Sequence, residues 1–287
     1  MKELTIISGK GGTGKTSLVA SFAALAENKV LADCDVDAAD LHLILDPEVE
    51  AGDDFKGGHV AQIDPDKCTQ CGECVARCQF DAISEDFVVD KLGCEGCGVC
   101  VHFCPEEAID FPRRVCGKWY ISRTRFGPMV HAALGIAQEN SGLLVSMVRN
   151  KAKELAKEQG RDMIIVDGPP GIGCPVIASI TGTDVVLIVT EPTLSGLHDL
   201  GRIGELTEHF KIPTLACINK YDLNEEMAEK IADHCQAHGI QLLGHVPYSR
   251  SVTHAMVAGK SIVEFAQDET SDAVRKLWRQ LKEYCEA

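Results

Sequence analysis

Residues 9–16 read GKGGTGKT, and the fold of the whole chain turns on how that stretch is read. It fits G-x-x-x-x-G-K-S/T. An apolar run, Leu4–Ser8, precedes it, and a helical pattern follows from about Lys15 to Ala26. A strand before the loop and a helix after it form the context in which this pattern cradles phosphates. Small residues let backbone N–H groups close around phosphate oxygens, and the helix N-terminus adds a favourable dipole. Gly9, Gly11, Gly12, Thr13, Gly14 and Ser17 are the expected cradle. Lys15 should reach the β- and γ-phosphates, and Thr16 should ligate Mg2+.

Working outward, the composition bounds what can surround this loop. Of 287 residues, 45% are hydrophobic and only 5% aromatic, so the core is aliphatic, as in a buried parallel sheet covered by helices. The formal net charge is −15 without a long Lys/Arg run, which excludes non-specific nucleic-acid binding. The opening MKELTIISGKGG is no signal peptide, and no apolar stretch reaches 18 residues. A cytoplasmic location is therefore expected. Fourteen cysteines then favour metal ligation over disulfides.

Strand patterns at Val30–Ala32, DMIIVD (162–167), DVVLIVTE (184–191), PTLACIN (213–219) and QLLGHVP (241–247) alternate with helical ones at 139–158, 195–210, 225–238 and 272–285. WYISRTRF (119–126) reads as a further strand, and the acidic, glycine-rich EVEAGDDFKGG (48–58) as a linker. Alternation of this kind predicts βαβ units: an α/β fold with a mostly parallel sheet flanked by helices.

A duplicated cassette interrupts that rhythm. CTQCGECVARCQFDAI (68–83) and CEGCGVCVHFCPEEAI (94–109) align cysteine for cysteine. Each half is C-x2-C-x2-C-x3-C, the run of bacterial two-cluster ferredoxins, in which the fourth cysteine ligates the other cluster. That pattern predicts two 4Fe-4S clusters, one held by Cys68, Cys71, Cys74 and Cys104, the other by Cys94, Cys97, Cys100 and Cys78. Gln79 replaces the proline that follows the first run's last cysteine; proline there is a turn device and not a ligand. The expected organisation is a nucleotide domain in two parts, 1–62 and 112–287, with a small α+β ferredoxin-like domain inserted at 63–111.

Lys10, directly after the first glycine, makes the loop resemble the deviant Walker A of MinD/ParA/Mrp-type P-loop ATPases, a superfamily that includes the nitrogenase iron protein. The resemblance implies an ATPase that binds ATP and ADP with Mg2+, is slow without a partner, and forms a homodimer in the ATP state, with Lys10 acting in trans. ADCDVDAADLH (32–42) resembles the first switch; Asp35 matches its Mg2+-linked aspartate, with Asp33 and Asp37 as alternatives. MIIVDGPPGIG resembles the second switch, implying Asp167 as a Mg2+ partner through water and Gly171 as an N–H donor to the γ-phosphate. Asn219, Lys220 and Asp222 mimic the guanine-reading N-K-x-D, yet the resemblance favours adenine, read by Asn219 with help from Pro247.

EPTLSGLHD (191–199) is also family-like, without a role the sequence reveals. Cys174, seven residues after Asp167, has a counterpart in the nitrogenase iron protein that helps bridge a cluster between subunits. No second such cysteine is found, so a packed or redox-silent thiol is expected, with a shared dimer cluster or a transient metal site as the alternative. Cys34, Cys217, Cys235 and Cys285 read as core or helix residues. In the closing helix Val274, Leu277, Trp278, Leu281 and Tyr284 share a face, expected to pack on the sheet and not on a membrane. Three functions follow: ATP-gated electron transfer to a redox partner, an ATP-dependent scaffold or carrier for metallocofactor assembly with its client protein, or a MinD-like positioning ATPase with redox sensing.

Overall fold

The computed structural model describes residues 1–135 and 141–286. The chain opens with β1 (Lys2–Ser8), buried from Glu3 onward. The glycine turn leads into α1 (Lys15–Leu25), followed by β2 (Lys29–Asp33), buried throughout. A short α2 (Leu41–Leu45) precedes a long strand, β3 (Glu48–His59). The cysteine-rich stretch supplies β4 (Gln62–Ile63), α3 (Glu73–Arg77), α4 (Val99–His102) and β5 (Ile109–Asp110). Then come β6 (Arg113–Thr124), β7 (Gly127–Leu134), α5 (Ser141–Glu158) and β8 (Met163–Pro170). The remainder alternates through α6 (Cys174–Ile180), β9 (Val185–Thr190), α7 (Leu194–His209), β10 (Thr214–Asn219), α8 (Glu225–Ala237) and β11 (Gln241–Val246). It closes with α9 (Arg250–Val257), α10 (Ile262–Phe265) and α11 (Glu269–Glu286). Residues 139 and 140, the start of the helical pattern that becomes α5, lie outside the described residues.

Nine strands form one sheet in the order β11-β10-β9-β1-β8-β2-β7-β6-β3. From β11 to β7 every neighbouring pair is parallel. This is the α/β sheet that the alternation of patterns predicts. Period-two geometry sends alternate residues to opposite faces. Leu4 and Ile6 pack with α1 and α11, whereas Ile7 packs with α6, α7 and α8. Both faces are covered, so the strands carry unbroken aliphatic runs. Val274, Leu277, Trp278 and Leu281 of α11 are buried on the sheet, and the Trp278 ring lies 5.3 Å from that of Phe22. Tyr284, placed on the same face by the sequence pattern, is 36% exposed. Among the described residues no helix is long and apolar enough to cross a membrane.

The chain divides into two compact units. One holds Met1–Gly52, Trp119–Ala133 and the segment beginning at Ser141; the other holds Asp53–Lys118 and the segment beginning at Leu134. The range 63–111 falls inside the second. That unit has its own small core of Ala61, Cys74, Ile83 and Ile109, with β4 antiparallel to β5. The sequence duplication reappears as local structure. α3 and α4 each begin at a left-handed glycine, Gly72 (φ 81°) and Gly98 (φ 75°), a conformation that glycine adopts without steric cost.

One expectation is corrected here. EVEAGDDFKGG is no linker; it is most of β3, at the edge of the sheet. Its first seven residues are all exposed, so no apolar alternation marks it. Pairing with β6 holds it instead, flanked by Arg123, which donates to Glu48 at 2.6 Å and forms an ion pair with Glu50 at 3.5 Å. Acidic residues along such an edge also discourage pairing with other chains. Strand β7 is an addition that the sequence pattern did not mark, and β6 begins six residues before the expected strand.

His131 of β7 lies 2.8 Å from the Ser122 hydroxyl and stacks on Tyr120. Burial, and then the neighbouring His42, push its imidazole down to about 4. Its neutral form is therefore native. Stability is complete above the ordinary value of 6.5 and is lost as pH falls through about 4. The fully expressed shift is worth up to about 3 kcal/mol. Urea unfolding from pH 7 to pH 4 is expected to show that loss, with a shallower slope in His131→Gln.

Candidate functional site

Parallel strands bring their carboxyl ends to one edge, where open α/β sheets bind ligands. Ser8, Asp33, Asp167 and Asn219 stand at or near those ends, and Glu191 and Pro247 directly follow them. Asp33 and Asp167 face each other in register across β2 and β8. β8 continues three residues past Asp167, so this carboxylate projects from within a strand and does not close one.

Beside that edge lies a cavity of about 410 Å3, of the size that takes a nucleotide-sized ligand. Gly11, Gly12, Thr13, Gly14, Lys15, Thr16, Ser17, Asp35, Asn219, Lys220 and Pro247 line it. Gly9, Lys10, Asp167, Gly171 and Asp222 stand outside this lining. α1 begins at Gly14 in the left-handed region (φ 91°), with no side-chain cap. Its first N–H groups are left for an anion. A Cβ at Gly14 would strike Asn219, whose Nδ2 donates to the Thr13 carbonyl at 2.7 Å. Tyr248, Val252 and Met256 also line it; only their nearness in sequence to Pro247 could have suggested them.

Lys15 is the electrostatic centre. Its ammonium is 2.5 Å from Asp167 Oδ1 and 3.5 Å from Asp35 Oδ2. Burial alone would lower its pKa, but Asp167, Asp35 and Asp33 outweigh it and hold it above the usual lysine value. Burial, followed by repulsion from Asp167, pushes the Asp33 carboxyl well up. Asp35 is raised to about 6, mainly by burial, with Lys15 opposing. The second oxygens of Asp33 and Asp167 are buried without a hydrogen-bond partner, as is Thr13 Oγ1. Three carboxylates against one ammonium, with two orphaned oxygens, leave a surplus of negative charge that a divalent cation would offset. Oxygen donors of this kind suit Mg2+.

Other expected residues are engaged elsewhere in this state. Gly171 donates its N–H to the Ser8 carbonyl at 2.8 Å. Asp222 accepts the Tyr248 N–H at 2.7 Å, so its carboxylate ties two loops together. Lys220 donates to the Gly12 carbonyl at 2.8 Å. Lys10 is 2.6 Å from Glu191 of its own chain. Cys174 is exposed as the first residue of α6 and so is not packed, which leaves a redox-silent surface thiol of the two forms expected; the turn from β8 leaves it on the surface. Cys34, Cys217, Cys235 and Cys285 are buried, as expected.

The second unit contains two thiol-lined cavities. Cys68, Cys71, Cys74 and Cys104 line one, closed by Ile63, Phe87 and Ile109. Cys78, Cys94, Cys97 and Cys100 line the other, closed by Ile83, Phe80 and Phe111. Each cavity thus draws one cysteine from the opposite run. The Ala108 N–H donates to Cys104 Sγ at 3.3 Å. Burial pushes the Cys74 and Cys100 thiols up, a preference that a bound metal's positive charge reverses. Among the described residues no group of three or more His, Cys, Asp or Glu side chains is gathered tightly enough to hold a metal ion.

Sheet, glycine loop and buried lysine define a P-loop ATPase. Residues 4–262 match the CobQ/CobB/MinD/ParA nucleotide binding domain, and the chain belongs to that family. An uncharacterized protein of Methanocaldococcus jannaschii is 33% identical over 285 residues, 98% of this chain and 97% of its own. The iron-sulfur cluster carrier protein of Pyrococcus horikoshii is 27% identical over 135 residues, 42% of this chain and 45% of its own. Among solved structures, the septum site-determining protein MinD of Pyrococcus horikoshii, complexed with Mg-ADP, matches with a TM-score of 0.60 at 17% identity, covering 99% of this chain and 96% of that one.

Lys15→Ala is expected to abolish tight nucleotide binding, measured by titration calorimetry. It should also cost about 3–5 kcal/mol of stability, the usual effect of stranding one partner of a buried ion pair.

Proposed function

We propose that this chain couples ATP binding and hydrolysis, in a nucleotide-dependent homodimer, to electron transfer between two 4Fe-4S clusters and a protein partner. The observation that carries the reading is the sorting of eight cysteines into two four-thiol cavities on a chain that also holds a phosphate-loop pocket. When bound, such clusters supply one-electron chemistry. Cys68, Cys71, Cys74 and Cys104 would hold one, and Cys78, Cys94, Cys97 and Cys100 the other. In the first unit Thr16, Asp35 and Asp167 would hold Mg2+. Lys15 then exchanges its carboxylates for the β- and γ-phosphates of ATP, and Asn219 and Pro247 receive the adenine. Lys10 reaches the nucleotide of a second copy, where a cation offsets charge developing on the transferred phosphoryl group.

A second reading has its own support. The similarity to iron-sulfur cluster carrier proteins over 42% of the chain suggests that clusters could be cargo. The cavities argue for residence. A group held by cysteines from both runs ties the two halves of the unit together, so releasing it means opening that unit's core.

Anaerobically purified protein should carry about eight irons per chain. Cys78→Ser should damage the cluster held by the second run, although Cys78 lies in the first; spectroscopic loss confined to the other cluster would refute this assignment. Lys10→Ala should bind nucleotide but lose ATP-dependent association. Redox titration with and without Mg-ATP then separates the two readings. Coupling is reciprocal, so a potential lowered by about 59 mV on ATP binding requires about tenfold weaker ATP binding to the reduced protein. Identical potentials in both conditions, together with transfer of labelled iron to an apo-acceptor, would replace electron transfer with the carrier reading.

A further inference from the structure

The stretch Glu191–Asp199, EPTLSGLHD, has no part in the proposed function, yet it is packed over the first two residues of the phosphate loop. Asp199 lies so close to Gly9 that a Cβ there would run into its side chain. Glu191 Oε1 is 2.6 Å from Lys10 Nζ. The same ammonium donates to Ser195 Oγ at 3.0 Å and reaches Thr193 Oγ1 at 3.4 Å. The other carboxylate oxygen of Glu191 is 3.2 Å from Lys220 Nζ. Burial works to raise the Glu191 pKa, yet Lys10 and Lys220 together hold it below the usual range. Three side chains of this segment, Glu191, Thr193 and Ser195, thus meet the Lys10 ammonium.

We propose that Glu191, with Thr193 and Ser195, is a latch that holds Lys10 within its own chain and opposes the ATP-dependent association of two chains. The inference rests on the reading that Lys10 acts across the dimer. The latch is built to open. Thr193 is the N-cap of α7, so Lys10 sits at the end of a helix whose dipole disfavours a cation. The carboxylate offsets that, while the two hydroxyls add only neutral acceptors. The pair is also partly solvated, with Lys10 34% and Glu191 16% exposed. A triphosphate presented by a second chain offers more negative charge than one carboxylate. It therefore shifts the lysine outward through differential affinity for the two positions.

The test uses the full chain, under anaerobic conditions, with two readouts. Without nucleotide, Glu191→Gln should raise the rate at which an amine-acylating reagent labels Lys10, followed by peptide mass spectrometry. The rise should be about fivefold, the change expected of a partly exposed ion pair worth about 1 kcal/mol. With Mg-ATP, sedimentation should show association tightened about fivefold per protomer, or about 25-fold for a symmetric dimer. Ser195→Ala, which leaves the carboxylate in place, should raise both by less. Labelling unchanged in both variants overturns the latch. So does faster labelling without tighter association in either, because the contact would then not oppose the dimer. Failure of the underlying dimer reading looks different: wild type and Lys10→Ala would associate alike in Mg-ATP, whatever stands at position 191.

Discussion

An ammonium buried among three carboxylates is the interaction on which the rest of the structure depends. Lys15 cannot be charged in a dry core unless oxygen ligands meet it, and no single element supplies them. Asp33 and Asp35 come from the end of β2, and Asp167 comes from β8. The parallel register of β2 and β8 sets two of these carboxylates opposite each other. The glycine loop returns the chain from β1 into α1 at the point where Lys15 can enter between them. Helices on both faces exclude water, and that exclusion makes the contact strong and leaves two oxygens without partners. Phosphate affinity and divalent-cation affinity are two consequences of this one arrangement.

The two units divide the periodic table between them. The first offers carboxylates, hydroxyls and backbone N–H groups, which suit phosphate and hard cations. The second offers eight thiols in apolar walls, which suit soft metals. Neither donor set is suited to the other's ligand.

Much of this was legible in the sequence, for identifiable reasons. β1, β8, β9 and β10 are buried on both faces, so their aliphatic runs stood out. The loop pattern fixed Lys15, and the cysteine spacing marked the residues that line both thiol cavities. What was hidden lacked a local signal. β3 is held by pairing and by Arg123, at an exposed edge where composition resembles a linker. Tyr248, from the turn after β11, and Val252 and Met256 of α9 reach the pocket only because β11 ends beside β10. The engagement of Gly171, Asp222 and Lys10 within this chain depends on partners far away in sequence, which no spacing encodes. Cys174 was read from the lack of a second matching cysteine, a signal that says nothing of burial, and the turn that leaves β8 puts it outside.

The strand order also dictates when each part can form as the chain is made. β1 is the first strand synthesised, yet its neighbours are β8 and β9, which begin at Met163 and Val185. β2 is likewise kept from β1 by β8. The phosphate loop is thus among the first residues to emerge and among the last to find its surroundings. Contacts so distant in sequence close slowly. The cysteine unit draws its core from residues 61 to 109, close together in the chain, and can be complete while the nucleotide half still waits for its central strand. The strand order thus sets a late closure for the loop that opens the sequence, while the cysteine-rich segment that follows it draws its core from nearby residues.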